Sequence, residues 1–574
     1  MFTPRLSSRL SSRRRAATVL ATALALAAGP LTMMGPPSAA ALDNGIALTP
    51  PMGWNTWNSF GCNISEQLIK DSADTLVSSG MRDAGYDTVV LDDCWFDPER
   101  DAEGNLRGNP DRFPSGMKAL GDYLHSKGLK FGIYQVPTEK TCAQRLGNYP
   151  GATGSLGHEQ QDADTFASWG VDYLKYDYCR GDDTLDQQIE LFTRMRDALQ
   201  NTGRPIVYSI NANSYHRDLN GASYDWSDIA HLWRTTEDIK SAWDTNRVNS
   251  YGMGVLNITR INGPLGSQAG PGHWNDPDMM EVGVPGMSLD EYRSHFSLWA
   301  QMAAPLMAGN KLADLTPEIT DILTKEEVIA VNQDSLGKAS RTVVDDGTRL
   351  LTVRELANGD RSVTLTNTGS TTANVATTVA ELGIAGASSY TVRDLWAGST
   401  ATSNGNLSAT LAPHATAMYR ITPNGAIAAV QAPPANGTYE IALADTPAQV
   451  LDNPGSSSAN NTQMIVWERK HGNNQRWVLT RNADGTYAVK NKVSGLCLDI
   501  RGAFTTAGTA VIQWPCGSDK SNQKFSLEPA GPHAYKLVAQ NSGLAVTASG
   551  TAKGSALVQE GPGANQTWTF LRTG

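Results

Sequence analysis

The chain has 574 residues, 40% of them hydrophobic and 18% charged, which is too long for one ordinary core and leaner in charge than the roughly 25% of an average globular chain. Net charge is −10; residues 1–41 hold five arginines and no acid, so the rest carries −15 and repels phosphate backbones, which argues against nucleic acid as a partner. Mean hydropathy is −0.33, and no run of about 18 apolar residues lies beyond the N-terminus, so the mature chain is not expected to span a membrane.

Residues 1–41 read as a signal peptide. Arginines at 5, 9 and 13–15 precede an apolar stretch over 16–34, and Ser38-Ala39-Ala40-Ala41 supplies small residues for cleavage. Secretion follows, by the general route or, given Ser12-Arg13-Arg14, the twin-arginine one. Export places the six cysteines where disulfides persist, and they fall as Cys62/Cys94, Cys142/Cys179 and Cys497/Cys516. With no Cys-x-x-Cys and no His-Glu-x-x-His, no metal site is expected, and three local bridges are the economical reading.

Over 42–335, short apolar β-rich runs alternate with helical stretches. The runs are 51–57, 87–95, 129–137, 171–179, 206–211, 231–238, 273–276 and 305–310; helical periodicity marks 65–84, 112–127, 185–200 and 289–307. Eight β-then-α repeats in this length predict a (β/α)8 TIM barrel. The rival, a doubly wound open sheet, lacks its glycine-rich turn after the first strand. Over 336–423 apolar and polar residues alternate, with Asn358-Gly359 and Thr368-Gly369 as turn signals, which predicts an antiparallel β-sandwich. An Ala-, Pro- and Gly-rich linker occupies 424–436.

Residues 437–574 contain an internal repeat: Gln475-Arg476-Trp477, Gln523-Lys524-Phe525 and Gln566-Thr567-Trp568, spaced by 48 and 43 residues. It resembles the ricin-type β-trefoil, a carbohydrate-binding module whose mark is a threefold Gln-x-Trp. The resemblance implies a sugar pocket made by an early Asp, an aromatic platform and an Asn before the Gln. The middle repeat offers Asp499, Trp514 and Asn522, with Cys497–Cys516 beside them; the first offers Asp452, Trp467 and Asn474. The third has Thr547 for the Asp and Glu560 for the aromatic, and is expected only to pack.

In a barrel of this kind the C-terminal strand ends make the active site. Here they carry Trp54 and Trp57; Asp92 and Asp93; Tyr134; Lys175 and Asp177; Arg234 and Asp238; and Asp276 and Asp278. Strand alternation puts Lys175 and Asp177 on one face. Acids for chemistry and hydroxyls, with aromatics for a ring, are a glycosidase's equipment. The motifs Pro50-Pro51-Met52-Gly53-Trp54-Asn55-Thr56-Trp57, Leu91-Asp92-Asp93-Cys94-Trp95, Tyr173-Leu174-Lys175-Tyr176-Asp177, Trp233-Arg234-Thr235-Thr236-Glu237-Asp238 and Trp274-Asn275-Asp276-Pro277-Asp278-Met279 resemble glycoside hydrolase family 27, mostly α-galactosidases.

That resemblance covers about residues 45–425 and implies a retaining double displacement without a cofactor. It makes Asp177 the nucleophile and Asp238 the acid/base. It gives Trp54, Asp92, Asp93, Tyr134, Lys175, Arg234 and Asp278 sugar contacts, and matches Cys142–Cys179 and Cys62–Cys94 to family bridges. The implied partners are terminal α-galactosides of oligosaccharides or polysaccharides, with a polymer held by the trefoil. One departure stands out: where the family usually has Cys-Glu-Trp, this chain has Ile210-Asn211-Ala212. Asn211 still has donors and acceptors for a 2-hydroxyl. The small Ala212 and Ser214 leave an α-N-acetylgalactosaminidase open, with a β-L-arabinopyranosidase and a non-catalytic lectin as further alternatives.

Overall fold

The structure, a computed structural model, describes residues 44–179, 183–212, 225–248, 250–427, 434, 436–482, 484–531 and 534–573. The expected signal peptide, most of the linker and Ser214 lie outside them. Among the described residues no helix is long and apolar enough to cross a membrane.

Eight strands form one parallel sheet: β1 (Met52–Asn55), β2 (Thr88–Leu91), β3 (Lys130–Gln135), β4 (Tyr173–Tyr176), β5 (Val207–Ile210), β6 (Leu232–Arg234), β7 (Trp274–Asp276) and β8 (Leu306–Ala308). Each falls inside a run expected from the sequence. Neighbours pair in chain order from β1 to β7, and β8 pairs with β1. The circle closes less regularly. Between β7 and β8 the contact is a single parallel bridge, Met280 to Ala308, with Met280 N–H donating to the Met307 carbonyl at 2.7 Å. The reason lies in β7, which has three residues and then turns at Asp278, whose φ is +88°. Pairing resumes only at Met280.

Strands buried on both faces must be apolar throughout, and Thr88–Leu91 is buried at every position. Gly53 is required in β1 because a Cβ there would meet the Thr88 carbonyl oxygen at 2.2 Å. The helices Glu66–Ser78, Met117–Ser126, Leu185–Asn201 and Leu289–Gln301 cover the strands. Capping boxes of Thr184 with Gln187 and Ser288 with Glu291 start the last two. The last stops at Gln301, short of the expected 307, because Ala303 adopts a positive φ and the chain turns into β8.

Eight further strands, from Arg341–Asp345 to Thr416–Pro423, build the sandwich: a six-stranded antiparallel sheet with the pair Ala373–Thr378 and Asn406–Leu411. It sits on the helix Leu289–Gln301. Buried Arg354 donates to the Ala300 carbonyl at 2.6 Å, and Gln301 donates to the Ser362 carbonyl at 3.0 Å.

The C-terminal strands form the trefoil, and its repeat has a physical reason. Gln475 and Gln523 donate to Asp452 and Asp499 at 2.8 Å, and Gln566 to Thr547 at 3.1 Å. Trp477, Phe525 and Trp568 are buried together, the two indoles donating to the Leu451 and Val546 carbonyls at 3.0 Å. Barrel, sandwich and trefoil thus appear in the order the sequence predicts.

Candidate active site

The eight strands deliver a polar cluster to the mouth of the barrel. At the end of β2, Asp92 accepts from Asn55 at 2.8 Å and from the Lys175 ammonium at 2.6 Å. Asp93 accepts from the backbone N–H of Cys94 at 2.7 Å and of Ala143 at 2.8 Å. Burial, and then the charge of Asp92, push the Asp93 carboxyl up to about 6 despite those donors. Burial works against the Lys175 ammonium, but Asp92 and Asp177 overcome it and hold its pKa above the usual value.

Asp177 follows β4 directly. One oxygen accepts from the Tyr178 N–H at 2.8 Å and from Asn211 at 2.7 Å; the other accepts from the Tyr134 hydroxyl at 3.0 Å. Three donors on an acceptor-only carboxylate fix its plane. Tyr134 and Asn211 end neighbouring strands on either side of β4, so the barrel's curvature converges them. The disulfide Cys142–Cys179 flanks this carboxylate, and Cys62–Cys94 flanks Asp93. Cys142, Asp177 and Cys179 come close enough to resemble a metal-ligand set, but both sulfurs are committed to the bridge and offer no thiolate.

Arg234, at the end of β6, reaches Asp238 at 3.2 Å and Asp278 at 3.0 Å. Asp278 is 7% exposed and also accepts from the backbone of Ile239 and Met279, so it anchors the arginine. Asp238 keeps 44% of its side chain open to the cleft. Loss of hydration among the surrounding groups, followed by the charges of Asp278 and Asp177, raises its pKa, with Arg234 opposing. A small cavity at the strand ends is lined by Lys175, Asn211, Arg234, Asp276 and Asp278 together with Val90 and Met307. Asp177 and Asp238 each hydrogen-bond to a residue of that lining.

Trp54 is fully buried, its indole N–H held by the Asn310 carbonyl at 2.8 Å, so it underlies the mouth. Sequence reasoning left out two contributors. Asn55 supports Asp92, and Glu237, beside Asp238, is pushed up to about 7 by burial and then by Asp238's charge. Glu237 stands within a motif already quoted; only its surroundings distinguish it.

In the trefoil, Asn474 donates to Asp452 at 2.9 Å, while Asn522 donates to the Ile500 carbonyl. Asp499 pairs with Ile512, which places Trp514 two residues further on the same face; Trp514 is 38% exposed. Trp467 is attended by the Lys470 and Lys553 ammoniums, at 5.9 and 4.8 Å from its ring. Thr547 turns its hydroxyl to the Ala545 carbonyl.

A parallel barrel with carboxylates and cations at its C-terminal mouth, followed by a sandwich and a trefoil, defines a glycoside hydrolase with an appended carbohydrate-binding fold. Residues 49–334 match the family model described as alpha galactosidase A, and 316–421 its C-terminal β-sandwich domain. Residues 427–514 and 473–560 match a ricin-type β-trefoil lectin-like domain. An α-galactosidase of Oryza sativa is 43% identical over 385 residues, 67% of this chain and 87% of the relative. The structure of α-galactosidase I from Mortierella vinacea superposes with a TM-score of 0.62 at 34% identity, covering 67% of this chain and all of that one. An α-galactosidase of Saccharomyces cerevisiae with raffinose follows, with a TM-score of 0.60, 31% identity and coverage of 66% and 99%. The chain belongs to the α-galactosidase A family of glycoside hydrolases.

Proposed function

We propose that the chain is a secreted retaining glycosidase that removes terminal α-D-galactosyl residues from oligosaccharides or polysaccharide side chains, its trefoil holding the polymer. The observation that carries this reading is the unequal treatment of two carboxylates at one barrel mouth. Asp177 receives three donors, while Asp238, 44% exposed, accepts from Arg234 and faces the charges of Asp278 and Asp177. One is set as a nucleophile and the other as a proton donor.

In the first step an Asp177 oxygen attacks the anomeric carbon while Asp238 protonates the departing oxygen. Consumption of the Asp177 charge in the ester then lowers the cost of ionising Asp238, which takes a proton from the water that cleaves the ester. Asp92 and Asp93 select a galactose ring through its 4- and 6-hydroxyls, and Lys175, held by Asp92, grips the same edge. The raffinose bound to the yeast relative is an α-galactoside of this class. The similarity to α-galactosidases at 43% and 44% identity supports galactose over a 2-acetamido sugar. The basic and apolar N-terminal segment and the three disulfides support export.

Asp177→Ala is expected to lower kcat at least about 10⁴-fold without moving the unfolding midpoint by more than a degree or two. A turnover near that of the parent chain would refute the assignment. Assaying aryl α-galactoside, α-N-acetylgalactosaminide and β-L-arabinopyranoside side by side tests the sugar: the first should dominate, and preference for either other would replace this reading.

A further inference from the structure

A second concavity, of about 230 Å³, opens between barrel and trefoil and shares no lining residue with the barrel-mouth cavity. On the trefoil side it is lined by Arg469, Lys470 and His471, and on the barrel side by Arg260 and Asn246. Four basic side chains thus converge in a chain whose net charge is −10. The acids that balance them stand behind: Glu440 is fully buried and accepts from Arg469 Nε at 2.5 Å and contacts His471 at 3.1 Å, while Asp345 holds Arg260 through two nitrogens at 2.9 Å. Each acid grips its arginine from the rear.

Arg469 is the decisive residue. Its side chain is 9% exposed, and its buried Nη2 has no hydrogen-bond partner among the described residues. A guanidinium N–H left without an acceptor away from water is destabilising, and the natural partner is an anionic oxygen. Beside these cations Asn246 offers a polar edge, and Val248, Ile261 and Pro264 an apolar wall suited to the C–H face of a sugar; Asp244, an acid in the same lining, accepts from the Asn246 N–H and from Asn257 at 2.7 Å. Lys470 leads on to the Trp467 platform, where Lys553 joins it, both lysines paired with Glu468, at 3.8 and 2.9 Å.

We propose that this cleft binds a carboxylate-bearing saccharide, a hexuronate unit of an acidic glycan, with Arg469 as the anchor for the carboxylate. The site is separate from the barrel mouth and from the neutral-sugar pocket of the middle trefoil repeat, so it stands whether or not those readings hold.

The test is calorimetric titration of the full chain with trigalacturonate at low ionic strength, with a neutral galactotriose and inorganic phosphate as controls. Saturable binding of trigalacturonate is expected, weakening as salt is added, with galactotriose at least tenfold weaker. Arg469→Gln should raise Kd at least about tenfold. Should that variant fold poorly, Asn246→Asp serves: position 246 is exposed with φ +54°, which aspartate tolerates, and the added charge should raise Kd at least about threefold. Arg469→Gln and Asn246→Asp should each hydrolyse an aryl α-galactoside as the parent does. Absence of binding at millimolar ligand, parental affinity in Asn246→Asp, equal binding of galactotriose, or full competition by equimolar phosphate would each overturn the proposal.

Discussion

Asp238 and Glu237 are adjacent carboxyls whose surroundings both raise their pKa, and the pH dependence of kcat/KM separates them. Proton donation requires the protonated acid, so activity should fall as pH rises through the raised pKa of Asp238. Glu237→Gln should keep that basic limb; Asp238→Asn should remove it together with most turnover on substrates with poor leaving groups. A limb lost in Glu237→Gln would move the acid role one residue. Asn211 offers a second test at this scale. It donates to Asp177 at 2.7 Å, so Asn211→Ala removes one of the two donors on that Asp177 oxygen, the other being the Tyr178 N–H, and is expected to lower kcat about 10- to 100-fold. An unchanged kcat would leave Asn211 no role in placing the nucleophile. The departure at 211 was visible in the sequence because a family motif breaks there. Its hydrogen bond to Asp177 was not, since it spans two strands 34 residues apart.

At the scale of elements, the strands that present these residues were legible because doubly buried parallel strands read as unbroken apolar runs. The closure of the circle was hidden. It depends on one bridge at Met280 and on the positive φ of Asp278, neither of which leaves a period in the sequence. The β5–β6 junction also depends on a contact that no periodicity announces. His231 Nδ1 accepts from the Tyr208 N–H at 2.9 Å, so the ring must be neutral, and burial lowers its pKa to about 4. The unfolded chain binds that proton near pH 6.5 and the folded one does not, so stability is retained above 6.5 and lost as pH falls toward 4, by roughly 3 kcal/mol. The unfolding midpoint of the parent should therefore drop over this window. A variant such as His231→Gln should show a shallower slope, and identical slopes would deny His231 its part.

For the whole molecule, the division of labour between barrel and trefoil is testable without removing either. The threefold Gln-x-aromatic was legible because each copy buries an aromatic in the same core and holds a polar side chain at one position, an Asp in two copies and Thr547 in the third. What distinguishes the pockets emerged only in three dimensions: Trp514 is open, whereas Trp467 is attended by two lysines. Trp514→Ala should accordingly spare hydrolysis of a small aryl α-galactoside while slowing release of galactose from a galactose-bearing polysaccharide several-fold, since tethering raises local substrate concentration. Equal loss on both would tie the tryptophan to folding.

The pairing of Asp177 with Asp238 is most directly examined by following the first sugar released from an aryl α-galactoside with proton NMR, before mutarotation. Two successive inversions at the anomeric carbon should deliver α-galactose first, with the β form growing in later. First appearance of β-galactose would mean a single displacement by water, and Asp177 would then not carry the sugar.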